Sequence, residues 1–368
     1  MSASLEIQLI AVLTAAACAL PGVFLVLRSM AMMADAISHT VLLGIVLVFF
    51  VVQDLQSPWL LVGAAATGLV TVTLVEMLSR TRLVREDAAI GLVFPALFSL
   101  AVILISRFAR GVHLDVDAVL LGELAFAPFD RALILGLDLP KALVTMSAIL
   151  LANIVFISVF YKELKLSTFD PALATALGFA PGLLHYGLMA LVSITAVGAF
   201  DTVGAILVVA LFITPAAAAY LLTDDLRRML FLSVGIGVLS ALSGYWLART
   251  VDASIAGSMA TMTGLVFVIV YVAAPQRGLV AQLRRRKRNR LEFAQAMLAI
   301  HLLNHEDKPD AADESRIDHL REHIRWAPDF AARVVRYAEQ TGIVRQQAGQ
   351  LRLTDAGRTL AQDAMVRA

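Results

Sequence analysis

The sequence predicts an all-α polytopic membrane protein of eight or nine spans followed by a small cytoplasmic domain. Three observations predict it. The 368 residues are 59% hydrophobic and only 16% charged, with a mean hydropathy of +0.80, the balance of a chain that crosses a bilayer repeatedly. Apolar segments of about twenty residues, the length a helix needs to span the hydrocarbon layer, recur as far as residue 274. After Pro275 the composition turns abruptly basic and then amphipathic. The formal net charge of +1 points to no class of partner.

The apolar segments fall at 7–27, 34–53, 58–79, 88–106, 141–160, 183–200, 203–222, 229–248 and 255–274. They make nine spans, or eight if the tight stretch 183–222 crosses fewer times. The first 27 residues hold no Lys or Arg, so the first run reads as a span with its amino end outside rather than as a cleavable signal. If every segment crosses, Arg28, Arg80, Arg82, Arg85, Lys162, Lys165, Arg227, Arg228 and the run 284–290 share one side, which is the cytoplasm by the bias of basic loops. The loop 107–140 lies outside, and its middle, LLGELAFAPF, reads as a short helix. The single cysteine, Cys18, sits within the first span and reads as a small packing residue.

Between the first two spans Asp35 and His39 are four residues apart, on one face of a helix. Ionisable groups at membrane depth are costly and face an interior or a water-filled path. A carboxylate with an imidazole is a donor set for Mn²⁺, Fe²⁺ or Zn²⁺; the same pair also reads as a packing lock. Further along, small residues at 63–68, 237–244 and 256–264 suit close helix contact in lipid. Glu76 reads as an interfacial residue at the cytoplasmic end of its span. His113, Asp115 and Asp117 alternate on the outer loop as a solvated face or a cation attractor.

Two later stretches carry more. In 161–182, Asp170 suits a helix N-cap, Pro171 the first helical position, and Gly178 with Pro181 a stop two turns on. Such a helix is more than a connector needs; taken by itself it reads as a capped interfacial helix lying on lipid. In 196–222, Asp201 and the dipeptide Thr214-Pro215 lie within apolar sequence, where proline either breaks the helix beside a path or only kinks it.

The stretch LRSMAMMADAISHTVLLG (27–44) resembles the corresponding stretch of the membrane permease subunit of metal-ion (zinc/manganese/iron) ABC importers. FDPALATALG (169–178) and AVGAFDTVGAILVVALFITPAAAAYLL (196–222) are similar to later segments of that family, in the same order, so the resemblance covers most of residues 5–275. It implies a type II importer architecture like that of the cobalamin permeases, with two permease subunits, identical or related, around a path. It implies ATP-binding cassette ATPases beneath, an extracytoplasmic metal-binding protein above, and a bacterial inner membrane. It casts Asp35 and His39 as ligands of the transported ion, with no permanently bound cofactor. Phe169, Asp170, Pro171, Ala174, Leu177 and Gly178 become the coupling helix, and Asp201, Thr214 and Pro215 residues lining the path. Leu43 departs from the family, which often carries proline there, so a straighter helix is expected.

The expected domains are a permease domain at 1–276, a basic juxtamembrane linker at 277–290 suited to anionic lipid, and a cytoplasmic domain at 291–368. The last reads as an amphipathic helix, an acidic linker at 307–314, helices at 315–324 and 328–340, two strands and a final helix. With LTDAGRTLA, it resembles a winged helix of metal-dependent repressors. Ten Lys and Arg against twelve Asp and Glu in 291–368 argue against nucleic acid. The pairs His301/His305 and His319/His323 have the i, i+4 spacing of a chelate, or of solvated helix faces. None of the five lysines lies in a P-loop motif, so the chain itself is not an ATPase and the energy comes from a partner or an ion gradient. The function expected is import of a divalent transition metal. The alternatives are a membrane-tethered metal-responsive regulator and a gradient-driven carrier.

Overall fold

A computed structural model of the chain describes residues 2–54, 57, 59–108, 124–134, 137–306, 308, 309, 311–316, 326–347 and 349–367. Two units form, Met1–Gly278 and Leu279–Ala368.

In the first unit, nine of the described helices are long and apolar enough to cross a membrane: α1 (Ala3–Leu27), α2 (Ala31–Val52), α3 (Trp59–Arg80), α4 (Glu86–Phe108), α5 (Lys141–Val159), α8 (Pro181–Val203), α9 (Ala205–Leu222), α10 (Leu226–Val251) and α11 (Ile255–Ala273). Helices are required because hydrocarbon offers no partners for backbone amides and carbonyls. The short helices α6 (Tyr161–Phe169) and α7 (Pro171–Ala176) lie between α5 and α8. The apolar core of α1 is 72% buried, against 17% for α4, so α1 is the axis of the bundle and α4 its rim. Packed on α1 are α5, α8, α9 and α10, while α2 packs on α3, α4, α8 and α9.

Polar side chains lock the bundle where apolar contact gives no preference over lipid. The Asn153 amide donates to the Ala17 carbonyl and to the Thr195 hydroxyl, each at 3.0 Å. Thr71 donates to Thr40 at 2.8 Å, tying α3 to α2. At Gly44 a methyl group would run into the Gly63 carbonyl and the Thr67 hydroxyl, so α2 and α3 touch backbone to backbone there. As expected with Leu43 in place of proline, α2 is unbroken.

Two expectations for this unit need correction. First, residues 124–129, the described part of LLGELAFAPF, are turns; Pro128 has no amide to extend a helix. An antiparallel hairpin follows, β1 (Arg131–Ile134) with β2 (Leu137–Pro140), which the sequence reading missed. Second, the segment between α5 and α8 holds two helices, not one. Of the two readings left open at Pro215, the break is absent: α9 runs through the proline, and the interruption falls at Gly204 (φ 81°), the single residue between α8 and α9. Close packing, expected at most of the small-residue positions, holds at Gly63, Gly68, Gly237 and Gly244, while Gly264 meets no neighbouring helix of the chain. His113, Asp115 and Asp117 lie outside the described residues.

In the second unit the basic run is not a separate linker but the first half of α12 (Leu279–His305). Residues 311–314 of the expected acidic linker form one helical turn, α13 (Ala311–Glu314). Ser315 and Arg316, expected to open a helix, instead form a turn and an isolated bridge that close off α13: the Leu351 amide donates to the Ser315 carbonyl at 2.9 Å, and Arg316 bridges Gln350. The rest of 315–324, His319 and His323 included, lies outside the described residues. Then come α14 (Pro328–Gln340), the antiparallel pair β3 (Val344–Gln347) and β4 (Gln350–Leu353), and α15 (Asp355–Arg367). Leu298, Leu302, Val334, Val335 and Leu351 form its core.

Candidate functional site

The turn that launches α2 is set by backbone geometry. Ser29 takes a left-handed conformation (φ 61°), its amide reaching the Val26 carbonyl at 3.1 Å and that of Met30 reaching Leu25 at 2.8 Å. This paired closure ends α1 and places Asp35 and His39 on the second and third turns of α2. Met33, Ala34, Ala36 and Ile37 are fully buried, whereas the Asp35 and His39 side chains keep 30% and 28% of their surface open. Their face of α2 is thus only partly covered by the rest of the chain. Asp35 Oδ1 lies 3.5 Å from His39 Nε2, too long for a good hydrogen bond. It does match the roughly 3.4 Å between two donors bound tetrahedrally at about 2.1 Å. The His39 ring is walled by Phe94 and Phe98 of α4, with centroids 5.5 and 6.1 Å away.

Asp201, near the end of α8, has Asp130 and Lys141 as its charged neighbours, and those two form an ion pair of 2.7 Å. It therefore belongs to the base of the β1–β2 hairpin, as does buried Glu6, which Arg131 contacts at 3.1 Å. On α9, Thr214 is half-buried and Pro215 buried.

At the other end, α7 is built as its residues require. The Asp170 carboxylate accepts from the Leu173 amide at 2.9 Å, and Pro171 opens the helix. Gly178 (φ 85°) closes it with amide bonds of 3.0 Å from Gly178 to Thr175 and from Phe179 to Ala174. Phe169, Leu173 and Leu177 leave 60%, 45% and 61% of their surface exposed, an apolar edge on a segment outside the spans. Ala174 is buried. At the start of α6, burial and then the Asp225 carboxylate push the Tyr161 hydroxyl above its ordinary range, so it stays neutral.

A polar cluster that the sequence reading missed joins α6 to the start of α2. Arg28, between α1 and α2, donates to the Thr168 and Ser167 hydroxyls and to His185 Nδ1, each at 3.1 Å. Because a guanidinium only donates, His185 Nδ1 must accept, which leaves its proton on Nε2, 2.5 Å from Glu76 Oε1. Glu76 also accepts from Tyr186 at 2.9 Å and pairs with Arg80 at 3.1 Å. It is the hub of this cluster rather than an interfacial residue. Only the Glu76/Arg80 spacing was visible in sequence; the other partners lie far apart along the chain.

A family model described as the ABC 3 transport family matches residues 5–274. The zinc transport system membrane protein TroD of Treponema pallidum is 49% identical over 359 residues, covering 98% of each chain. The manganese transport system membrane protein MntD of Bacillus subtilis is 50% identical over 272 residues, covering 74% of this chain and 92% of its own. Among solved structures, PsaBC from Streptococcus pneumoniae in complex with Fab superposes with a TM-score of 0.63 at 28% identity, covering 75% of this chain and 94% of that one. With the match spanning the whole membrane unit and nine apolar helices in place, this chain belongs to the ABC 3 transport family.

Proposed function

We propose that this chain is the multi-pass permease subunit of an ATP-driven importer that brings a divalent transition metal ion, Mn²⁺, Zn²⁺ or Fe²⁺, into the bacterial cytoplasm, with Asp35 and His39 holding the ion on its path. ATP is hydrolysed by a partner subunit. The observation that carries the assignment of the pair is its placement: two donors at the separation of ligands on one ion, on a helix face the chain leaves partly open. A carboxylate facing lipid would be costly, so that face is best read as turned to the path. A second permease subunit, identical or related, supplies the opposite wall. Two donors per chain bind weakly enough for release, as conduction requires. The apolar edge of α7 docks the ATPase, and the Arg28 cluster ties the motion of α6 and α7 to the start of α2. An extracytoplasmic binding protein delivers the ion on the side of the β1–β2 hairpin.

The test is Asp35→Asn, which keeps shape and hydrogen-bonding capacity and removes the charge. Uptake of radiolabelled Mn²⁺ or Zn²⁺ by cells relying on this system should fall to background, while the permease still co-purifies with its ATPase. His39→Ala should behave alike. Near-normal uptake in Asp35→Asn would return the pair to a packing role.

A further inference from the structure

We propose that His301, His305 and Glu314 form a second binding site for a divalent transition metal, within the carboxy-terminal unit and separate from the transport path. His301 and His305 lie on the last turns of α12, four residues apart, so both imidazoles stand on one face. Their ring centroids are 4.9 Å apart. Glu314, on α13, brings Oε2 to 3.3 Å from His301 Nε2. One donor atom from each of the three lies within 4.8 Å of the others, so a modest rotation of the side chains would set all three on one ion. Two neutral imidazoles and one carboxylate suit a first-row divalent ion, and three protein donors leave a position for water.

The surroundings favour a built site over a chance meeting of surface groups. The Glu314 side chain keeps only 7% of its surface and that of His301 12%, so both donors are held inside the unit rather than swinging in solvent. Leu298 and Leu302, on the same helix, are core residues of the unit, so the donors are carried on a packed element. Access exists too: His305 lines a cleft with Leu302, Ala311, Ser315 and Arg358. An ion here would clamp α13 to the end of α12. The next residues, Ser315 and Arg316, are the edge on which β4 pairs, so occupancy would be felt as ordering of that edge. The inference needs only these residues and does not rest on the transport reading.

The experiment uses purified full-length chain in detergent and Zn²⁺ alone. To isolate the proposed site, the starting protein carries Asp35→Ala and His39→Ala. This protein should still bind one Zn²⁺ per chain by titration calorimetry. Adding His301→Gln and His305→Gln should abolish that ion, and Glu314→Gln should weaken it by about tenfold or more. Co²⁺ loaded in place of Zn²⁺ should give the visible absorption of a nitrogen- and oxygen-ligated ion, lost in the same variants. Circular dichroism checks that each variant is folded; should His301→Gln unfold, the less enclosed His305→Gln alone carries the test. If the starting protein binds no Zn²⁺ at micromolar concentrations, or binds it equally after the histidine changes, the site does not exist. Failure of Asp35 and His39 as ligands would appear separately, as equal stoichiometry in wild-type and starting protein.

Discussion

Arg28 shows how one residue joins distant parts of the chain: its three hydrogen bonds reach Ser167, Thr168 and His185. Arg28→Lys keeps the charge but replaces a planar fork by a single ammonium, which cannot serve all three acceptors in this geometry. Losing one or two hydrogen bonds to a charged group costs about 1.5–3 kcal/mol each. If these bonds carry motion from α6 to α2, the initial rate of metal uptake should fall by about tenfold or more at unchanged expression. An unchanged rate would make the cluster packing alone. At this scale the sequence was legible where spacing is local. Asp35 and His39 share a helix face, and Asp170 caps the helix it begins. The Glu76 and His185 pair was not legible, because 3.6-residue periodicity says which face a residue lies on but not what a distant helix brings to it.

Among the elements, α7 has both ends fixed by side-chain and backbone chemistry, so its stability can be changed without touching its exposed edge. Asp170→Ala removes the cap and should cost about 1 kcal/mol, and Gly178→Ala strains a left-handed position by a similar amount. Each should lower ATPase activity stimulated by metal-loaded binding protein in reconstituted vesicles while the spans stay intact. Stimulation at the wild-type level in both would separate α7 from coupling. A second prediction concerns α2. Gly44→Val places a branched side chain against the Gly63 carbonyl, pushing α2 off α3, so thermal stability in detergent and uptake should fall together. The helices were legible from apolar length alone. The β1–β2 hairpin was not: a short apolar run beside Pro128 has no periodicity that separates helix, strand and turn.

At the scale of the whole chain, hydropathy placed the nine spans, and the unit boundary at Gly278 falls close to where the composition changes. What composition did not mark is that the basic run and the amphipathic stretch are one helix. Backbone hydrogen bonds of α12 pass without interruption from the arginine run into the amphipathic stretch, since a helix needs only residues that tolerate it. Truncation after Gly278 should therefore leave a folded permease that still takes up metal, whereas a cut within α12 exposes half a helix. Inside the carboxy-terminal unit, Arg358 grips both oxygens of Glu306 at 2.6 and 3.1 Å, and its hydrogen bonds hold the Glu306 carboxyl below the ordinary 4.5. A depressed carboxyl contributes stability above its unfolded value and loses it as pH falls through the folded one. Hydrogen-exchange protection of α15 should thus weaken below about pH 4.5, and only modestly for so exposed a pair.

The partly open face of α2 has a genetic consequence. Where the partner permease is a second copy of this chain, each ion on the path is held by both alleles at once. A His39→Ala allele expressed beside the wild type at equal level should then be dominant, with about a quarter of randomly formed pairs carrying two intact faces. Uptake near one quarter marks shared custody of the ion. Uptake near one half would mean that each copy carries its own.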